Sequence, residues 1–159
     1  MLHIWKREIP DLDLDTEGIV ERIQHLNKRF EHAMNDTLAQ FDIDKGEWQV
    51  LTVLRRSGEP YRLSPGALAK VMGLSAAAMT NRLNQLESRG LVRRLPDADD
   101  RRAVKVELTP EGWQRWQDSV GVQAEKEAFV ASALTQSEKS TLNELLIRLM
   151  LQFEDGKPR

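Results

Sequence analysis

Residues Leu63–Gly112 read LSPGALAKVMGLSAAAMTNRLNQLESRGLVRRLPDADDRRAVKVELTPEG, and this stretch decides the fold. Ser64 can cap a helix, and Pro65 at its first position brings a preset φ and has no donor to lose. Leu68, Val71 and Met72 then fall on one face. Gly73 suits the left-handed residue that ends such a helix, Leu74 fills the corner, and Ser75 can cap the next helix. The spacing predicts that second helix from about Ala76 to Arg89, stopped by Gly90, with Met79, Leu83 and Leu86 as its buried stripe. Two short helices joined by a turn of a few residues make a helix-turn-helix.

The second helix opens with Ala76, Ala77, Ala78, Thr80, Asn81 and Arg82. Small residues let a helix sit deep in a major groove. Thr80 can touch a thymine methyl or a phosphate, Asn81 can read adenine, and Arg82 can read guanine or a phosphate. Taken alone, the same residues are equally a good helix former with a solvated face. The next segment breaks the tie. Leu91, Val92 and Leu95 predict one strand, and Val104, Val106 and Leu108 alternate as a second. Pro96, Asp97, Ala98, Asp99 and Asp100 form the turn between them, with Arg101 and Arg102 on its far side. An arginine at a hairpin tip fits a narrow minor groove, and Asp100 can hold Arg102 through a fork-shaped ion pair. The competing reading, a solvated charge cluster, is weakened by the position of this tip after a helix-turn-helix.

In this order and spacing the motifs resemble the winged helix-turn-helix of the MarR family of bacterial transcription regulators. The carrying residues are Leu74-Ser75, Met79-Thr80-Asn81-Arg82-Leu83, Leu86-Glu87 and Arg89-Gly90-Leu91-Val92. Asp100-Arg101-Arg102, followed by Val104, Val106, Leu108, Thr109 and Gly112, completes them. By that likeness Thr80 and Asn81 fall where the family's recognition helix reads bases, and Arg102 where its wing enters the minor groove. The candidate DNA-binding set is Ser75, Ala76, Ala77, Thr80, Asn81, Arg82, Asp100, Arg101 and Arg102.

Composition bounds the rest. The 159 residues suit one domain, or a core domain with an appended dimerisation part, and 40% hydrophobic residues supply a real core. No apolar run is long enough to span a membrane, and the first ten residues lack signal-peptide form, so a cytoplasmic protein is expected. With no cysteine, disulfides, thiolate catalysis and a cysteine-based peroxide sensor are excluded. His3, His25 and His32 are too dispersed for an obvious metal site, although His25 and His32 can share a helical face. The net charge of −2 hides an uneven distribution. Arg82, Arg89, Arg93, Arg94, Arg101, Arg102 and Lys105 form a basic module in an otherwise neutral chain.

Outside that module the chain reads as helices. Met1–Leu14 is a leader with Ile4, Trp5, Ile9, Leu12 and Leu14, expected to pack on the body or on a partner subunit. Asp15 or Thr16 can cap a long helix to about Phe41, with Ile19, Ile23, Leu26, Phe30, Ala33 and Leu38 near the helical period. Asp44 and Glu47 make a capping box for a helix to about Ser57, with Trp48, Leu51 and Leu54 inward. Tyr61-Arg62-Leu63 can add a short strand against the wing. Thr109 and Pro110 begin a helix with Trp113, Trp116, Val120, Ala124 and Phe129 on its apolar side. Thr135 and Glu138 box the last helix, which carries Leu142, Leu145, Leu146, Leu149, Met150 and Phe153. The expected fold is mainly α with a small β-wing. It divides into a leader and dimerisation helix (1–43), a winged helix-turn-helix DNA-binding domain (44–109) and C-terminal dimerisation helices (110–159).

Such flanking helices, apolar beyond what a small winged unit can cover, predict a two-fold homodimer with two recognition helices about one DNA turn apart. The expected partners are double-stranded DNA, a second copy and a small-molecule effector, with no cofactor, no metal and no membrane. Gly46-Glu47, Val50-Leu51, Pro60-Tyr61-Arg62-Leu63 and Met79-Thr80-Asn81-Arg82 resemble the urate-responsive branch of the family, which carries an extra N-terminal helix. That resemblance implies a ligand set at Trp5, Gln49, Arg82 and Arg94. Gln49 departs from it, because an amide replaces the acid that would accept ligand N–H protons or couple to an arginine. The effector classes left open are an aromatic carboxylate and a urate-like anion. Trp5 also reads as a leader anchor, and Arg94 as a phosphate contact. An effector engaging Arg82 would remove a DNA contact, which supplies a switch.

Catalysis is not expected. The one dense acidic group, Asp97, Asp99 and Asp100, sits at a hairpin tip beside arginines that neutralise it. The function expected is a DNA-binding regulator, a repressor released by its effector. The alternative is a winged helix used for protein contacts.

Overall fold

The computed structural model describes residues 9, 11–97 and 103–155, without the side chains of residues 153 and 155. The order is α1 (Leu14–Gln40), α2 (Lys45–Arg56), β1 (Arg62–Leu63), α3 (Pro65–Met72), α4 (Ala76–Ser88), β2 (Val92–Pro96), β3 (Val104–Leu108), α5 (Pro110–Ala131) and α6 (Gln136–Asp155). The chain forms two units, 1–120 and 121–159.

Local chemistry sets the helix ends. Asp13, ahead of the expected cap, starts α1 by accepting from the Asp15 amide at 3.1 Å. At α2 the capping box is complete: the Glu47 amide donates to Asp44 Oδ1 at 2.7 Å, and the Asp44 amide donates to Glu47 Oε2 at 3.0 Å. Ser64 and Ser75 cap α3 and α4 through the amides of Ala67 and Ala78. Between them Gly73 takes φ 63°, where a Cβ would meet its own backbone. Thr135 and Glu138 box the start of α6 as the sequence predicts, and the donated hydrogen bonds hold the Glu138 carboxyl below its ordinary pKa.

The expected short strand before α3 is present. β1 pairs antiparallel with β3, and β2 pairs with the other edge of β3, giving the order β1-β3-β2. The core of the first unit runs from Leu38 at the end of α1 to Leu108 at the end of β3. Val50, Leu51 and Leu54 of α2, Leu68 of α3, Leu86 of α4, Leu91 and Val106 are all fully buried. Met79 and Leu83 complete the α4 stripe. Val71 does not join the core: the side chain is 65% exposed, and α3 buries Leu68 and Ala69 instead. The buried face of α3 is centred on Leu68, Ala69 and Met72, and Val71 lies to one side of it.

Two tryptophans tie the first turns of α5 to α2. Trp48 Nε1 donates to Ser119 Oγ at 3.0 Å, and Trp116 Nε1 donates to Thr52 Oγ1 at 2.9 Å. Gly112 is needed here because the chain passes over Leu91, and a Cβ would lie 2.0 Å from the Leu91 carbonyl oxygen. Phe129, expected on the apolar side of α5, is 81% exposed in the single chain. None of the described helices is long and apolar enough to cross a membrane.

Candidate nucleic-acid interface

The α4 helix presents two surfaces. Met79, Leu83 and Leu86 face the core, while Ala76, Ala77, Ala78, Thr80 and Asn81 lie exposed on the opposite side of its first two turns. Ser75 caps the start, so the helix end is ordered at the edge that would enter a groove. The Thr80 hydroxyl donates to the Ala76 carbonyl at 2.8 Å. Its donor is therefore satisfied within the helix, and its methyl and an oxygen lone pair remain for a partner. Asn81 keeps an exposed amide able to make the paired donor–acceptor contact that adenine offers.

The sequence counts cations, and the structure shows how they are used. Arg89 reaches back to the start of α2, with Nη1 donating to Glu47 Oε1 at 3.1 Å and Oε2 at 2.9 Å, and Nη2 lying 3.1 Å from Asp42 Oδ2. Arg93 and Arg62 share Glu107 across the sheet, at 2.8 and 2.9 Å. Arg94 bonds Glu87 through its guanidinium, donates its backbone amide to the same carboxylate at 3.0 Å, and reaches Asn84 Oδ1 at 2.8 Å. Lys105 pairs with Asp97 at 3.2 Å. Arg89, Arg93, Arg94 and Lys105, expected to form part of a phosphate-binding run, thus hold α4, the sheet and α2 together. Glu107 feels its arginines, Arg93 first, and its carboxyl lies below the ordinary range despite burial pushing the other way.

Arg82 differs. It is half-buried at the side of α4, and its guanidinium lies where a Gly46 side chain would be, with an added Cβ falling 2.4 Å from its Cζ. Among the described residues it has no carboxylate within ion-pair distance.

The wing residues Asp100, Arg101 and Arg102, and Trp5 of the leader, lie outside the described residues. The other implied ligand positions are described. Gln49 lies on α2, about one turn beyond Gly46 and so at the same end of that helix as Arg82. Arg94 is engaged with Glu87 and Asn84. His25 and His32 do share a face of α1, bordering a cleft of about 500 Å³ with Lys28, Arg29 and Asp36. His25 Nε2 accepts from Arg29 Nε at 3.0 Å. Among the described residues no cluster of three His, Asp or Glu is placed to hold a metal.

The residue the sequence underread is Glu47. It is visible as a capping residue, but its second partner, Arg89, is 42 positions away, and only the fold brings them together.

The MarR family model matches residues 41–103. The HTH-type transcriptional regulator PecS of Dickeya dadantii is 30% identical over 145 residues, 91% of this chain and 87% of that protein. The crystal structure of wild-type apo MarR from Escherichia coli superposes with a TM-score of 0.69 at 28% identity, covering 81% of this chain and 93% of that one. A cysteine-to-serine mutant of the same protein, complexed with operator DNA, superposes with a TM-score of 0.65 at 27% identity, covering 91% and 96%.

Proposed function

From the premise that the chain belongs to the MarR family and is a transcriptional regulator of that type, we propose that it represses by binding a pseudo-palindromic operator as a homodimer, and that a small anionic or aromatic effector releases it. The observation that carries DNA reading is the surface of α4: a capped start, three exposed alanines, and beside them the exposed Asn81 amide and Thr80, whose methyl and an oxygen lone pair remain for a partner. In this reading Ser75, Ala76, Ala77, Thr80, Asn81 and Arg82 contact the major groove, and Asp100, Arg101 and Arg102 serve the wing. Residues 44–109 are then the DNA-binding domain, and 1–43 and 110–159 the dimerisation parts.

The homodimer is supported by apolar surface that the single chain leaves bare. On α1, Ile19, Ile23, Leu26 and Phe30 recur at helical spacing and are 40–50% exposed. On α6, Leu142, Leu145 and Leu149 do the same. Surface of this extent on two long helices fits an isologous contact with a second copy. For the effector, Arg82 is a cation without a carboxylate partner among the described residues, near Gln49. Arg94 would have to exchange Glu87 for the ligand. Trp5 completes the proposed ligand set. Benzoate and urate, titrated against the DNA complex, separate the two effector classes.

The test is selection of bound sequences from a random double-stranded pool. The expected product is a two-fold symmetric site, with affinity falling steeply as salt rises. A pool that yields no sequence at low salt would move the winged unit to protein contacts.

A further inference from the structure

Gly46 is a glycine without a backbone reason. It lies at the second position of α2, and its φ is not among the positive ones, which fall at Gly58, Gly73 and Gly90. Within a helix glycine is a poorer choice than alanine. What the missing side chain provides is space, and Arg82 fills it: Cζ and Nη2 both lie 2.4 Å from where the Cβ would be, and Nε 2.8 Å. The long side chain of Arg82 is thereby laid along the first turn of α2 with its guanidinium half-buried.

This hold is unlike that of the neighbouring arginines. Arg62, Arg89, Arg93 and Arg94 are each fixed by a carboxylate, Arg62 and Arg93 by the same Glu107. Arg82 is fixed by packing, and among the described residues no carboxylate neutralises it. An arginine held in place with no carboxylate partner among the described residues has already lost much of the rotamer freedom that binding would otherwise cost. Its position, one residue after Asn81 on the same helix, sets it beside the exposed edge.

We propose that Gly46 is the positioning residue for Arg82, holding its guanidinium ready for an acceptor on DNA; this rests on the DNA-binding reading of α4. A methyl at position 46 would meet the far end of a flexible side chain, so Gly46→Ala should displace Arg82 and leave the helix in place.

The experiment is a double-mutant cycle read by fluorescence anisotropy on the selected operator, with Gly46→Ala, Arg82→Ala and the double variant. Gly46→Ala should weaken binding about three- to tenfold, the scale of re-ordering one long side chain. Its salt slope should match the parent, because no charge is lost. Arg82→Ala should weaken binding about five- to a hundredfold. In the Arg82→Ala background the alanine at position 46 should cost nothing further. Equal losses in both backgrounds would overturn the proposal, as would no loss in either.

A second readout needs no DNA and no change in stability. Nitrogen-15 relaxation of the Arg82 Nε, assigned by its disappearance in Arg82→Lys, should report a restricted guanidinium in the parent and a mobile one in Gly46→Ala. Equal mobility in both would sink the idea even if binding changed. If the parent protein selects no DNA at all, the DNA-binding reading fails, while the relaxation measurement still decides the contact.

Discussion

The winged unit and the helices that flank it handle apolar surface in opposite ways. Between Leu38 and Leu108 most large aliphatic side chains that the pattern assigns inward are buried, several of them completely, with Val71 and Val104 exposed. On α1 and α6 the periodic residues are as regular, yet Ile23, Leu26, Leu145 and Leu149 remain more than 40% exposed. Periodicity therefore says that a face must be covered and does not say by what. The winged unit covers its own faces with three helices and a sheet. The flanking helices are left with exposed apolar faces, which the proposed dimer would cover.

The largest test of this contrast lies inside the packed unit. Leu51, fully buried on α2, should cost about 2–5 kcal/mol on truncation to alanine, lowering the midpoint in urea unfolding. Next in size is the bare face. Ile23→Glu on α1 places a charge on the proposed interface and should weaken self-association at least about thirtyfold, the loss of a central contact, in sedimentation equilibrium. Self-association unchanged by this variant would remove α1 from the interface. Third is the tie between α2 and α4. Glu47→Gln keeps the shape but removes the charge that faces Arg89, and should cost about 1–3 kcal/mol in the same urea experiment.

Much of this was legible in the chain. The serine caps, the glycine stop after α3, the buried stripe of α4 and both capping boxes follow from residue type at fixed offsets, because each is settled within a few turns. What could not be read was long-range partnership. Arg89, Arg93, Arg94 and Lys105 look alike in a one-dimensional charge count, but each meets its carboxylate through the fold. Val71 satisfied the period and missed the core because α3 turns its inward face toward Ala69, so that Leu68, Ala69 and Met72 pack and Val71 lies beside them. Gly46 carried no signal as a positioning residue, since the side chain that needs its space comes far later in the chain.

The smallest effect tests the sheet, where the winged unit treats charge as it treats apolar surface and covers it from within. Glu107 on β3 accepts from Arg93 on β2 and Arg62 on β1, and its side chain is largely buried while both arginines stay partly exposed. Hydrogen bonding to Arg93 leads the causes that lower its pKa, with Arg62 adding to them. A carboxyl whose folded pKa lies below its unfolded value contributes stability that is present above the unfolded value, about 4.3, and is lost as pH falls through the folded one. Because the arginines are solvent-screened, the contribution should not exceed about 1 kcal/mol. Glu107→Gln should therefore lower the melting temperature slightly at about pH 7, with the difference from the parent shrinking as pH drops below about 4. A gap that stays constant down to acid pH would mean that the triad is held by packing of the arginine stems, and that charge in the sheet is as unpartnered in energy as the apolar faces of α1 and α6 are in space.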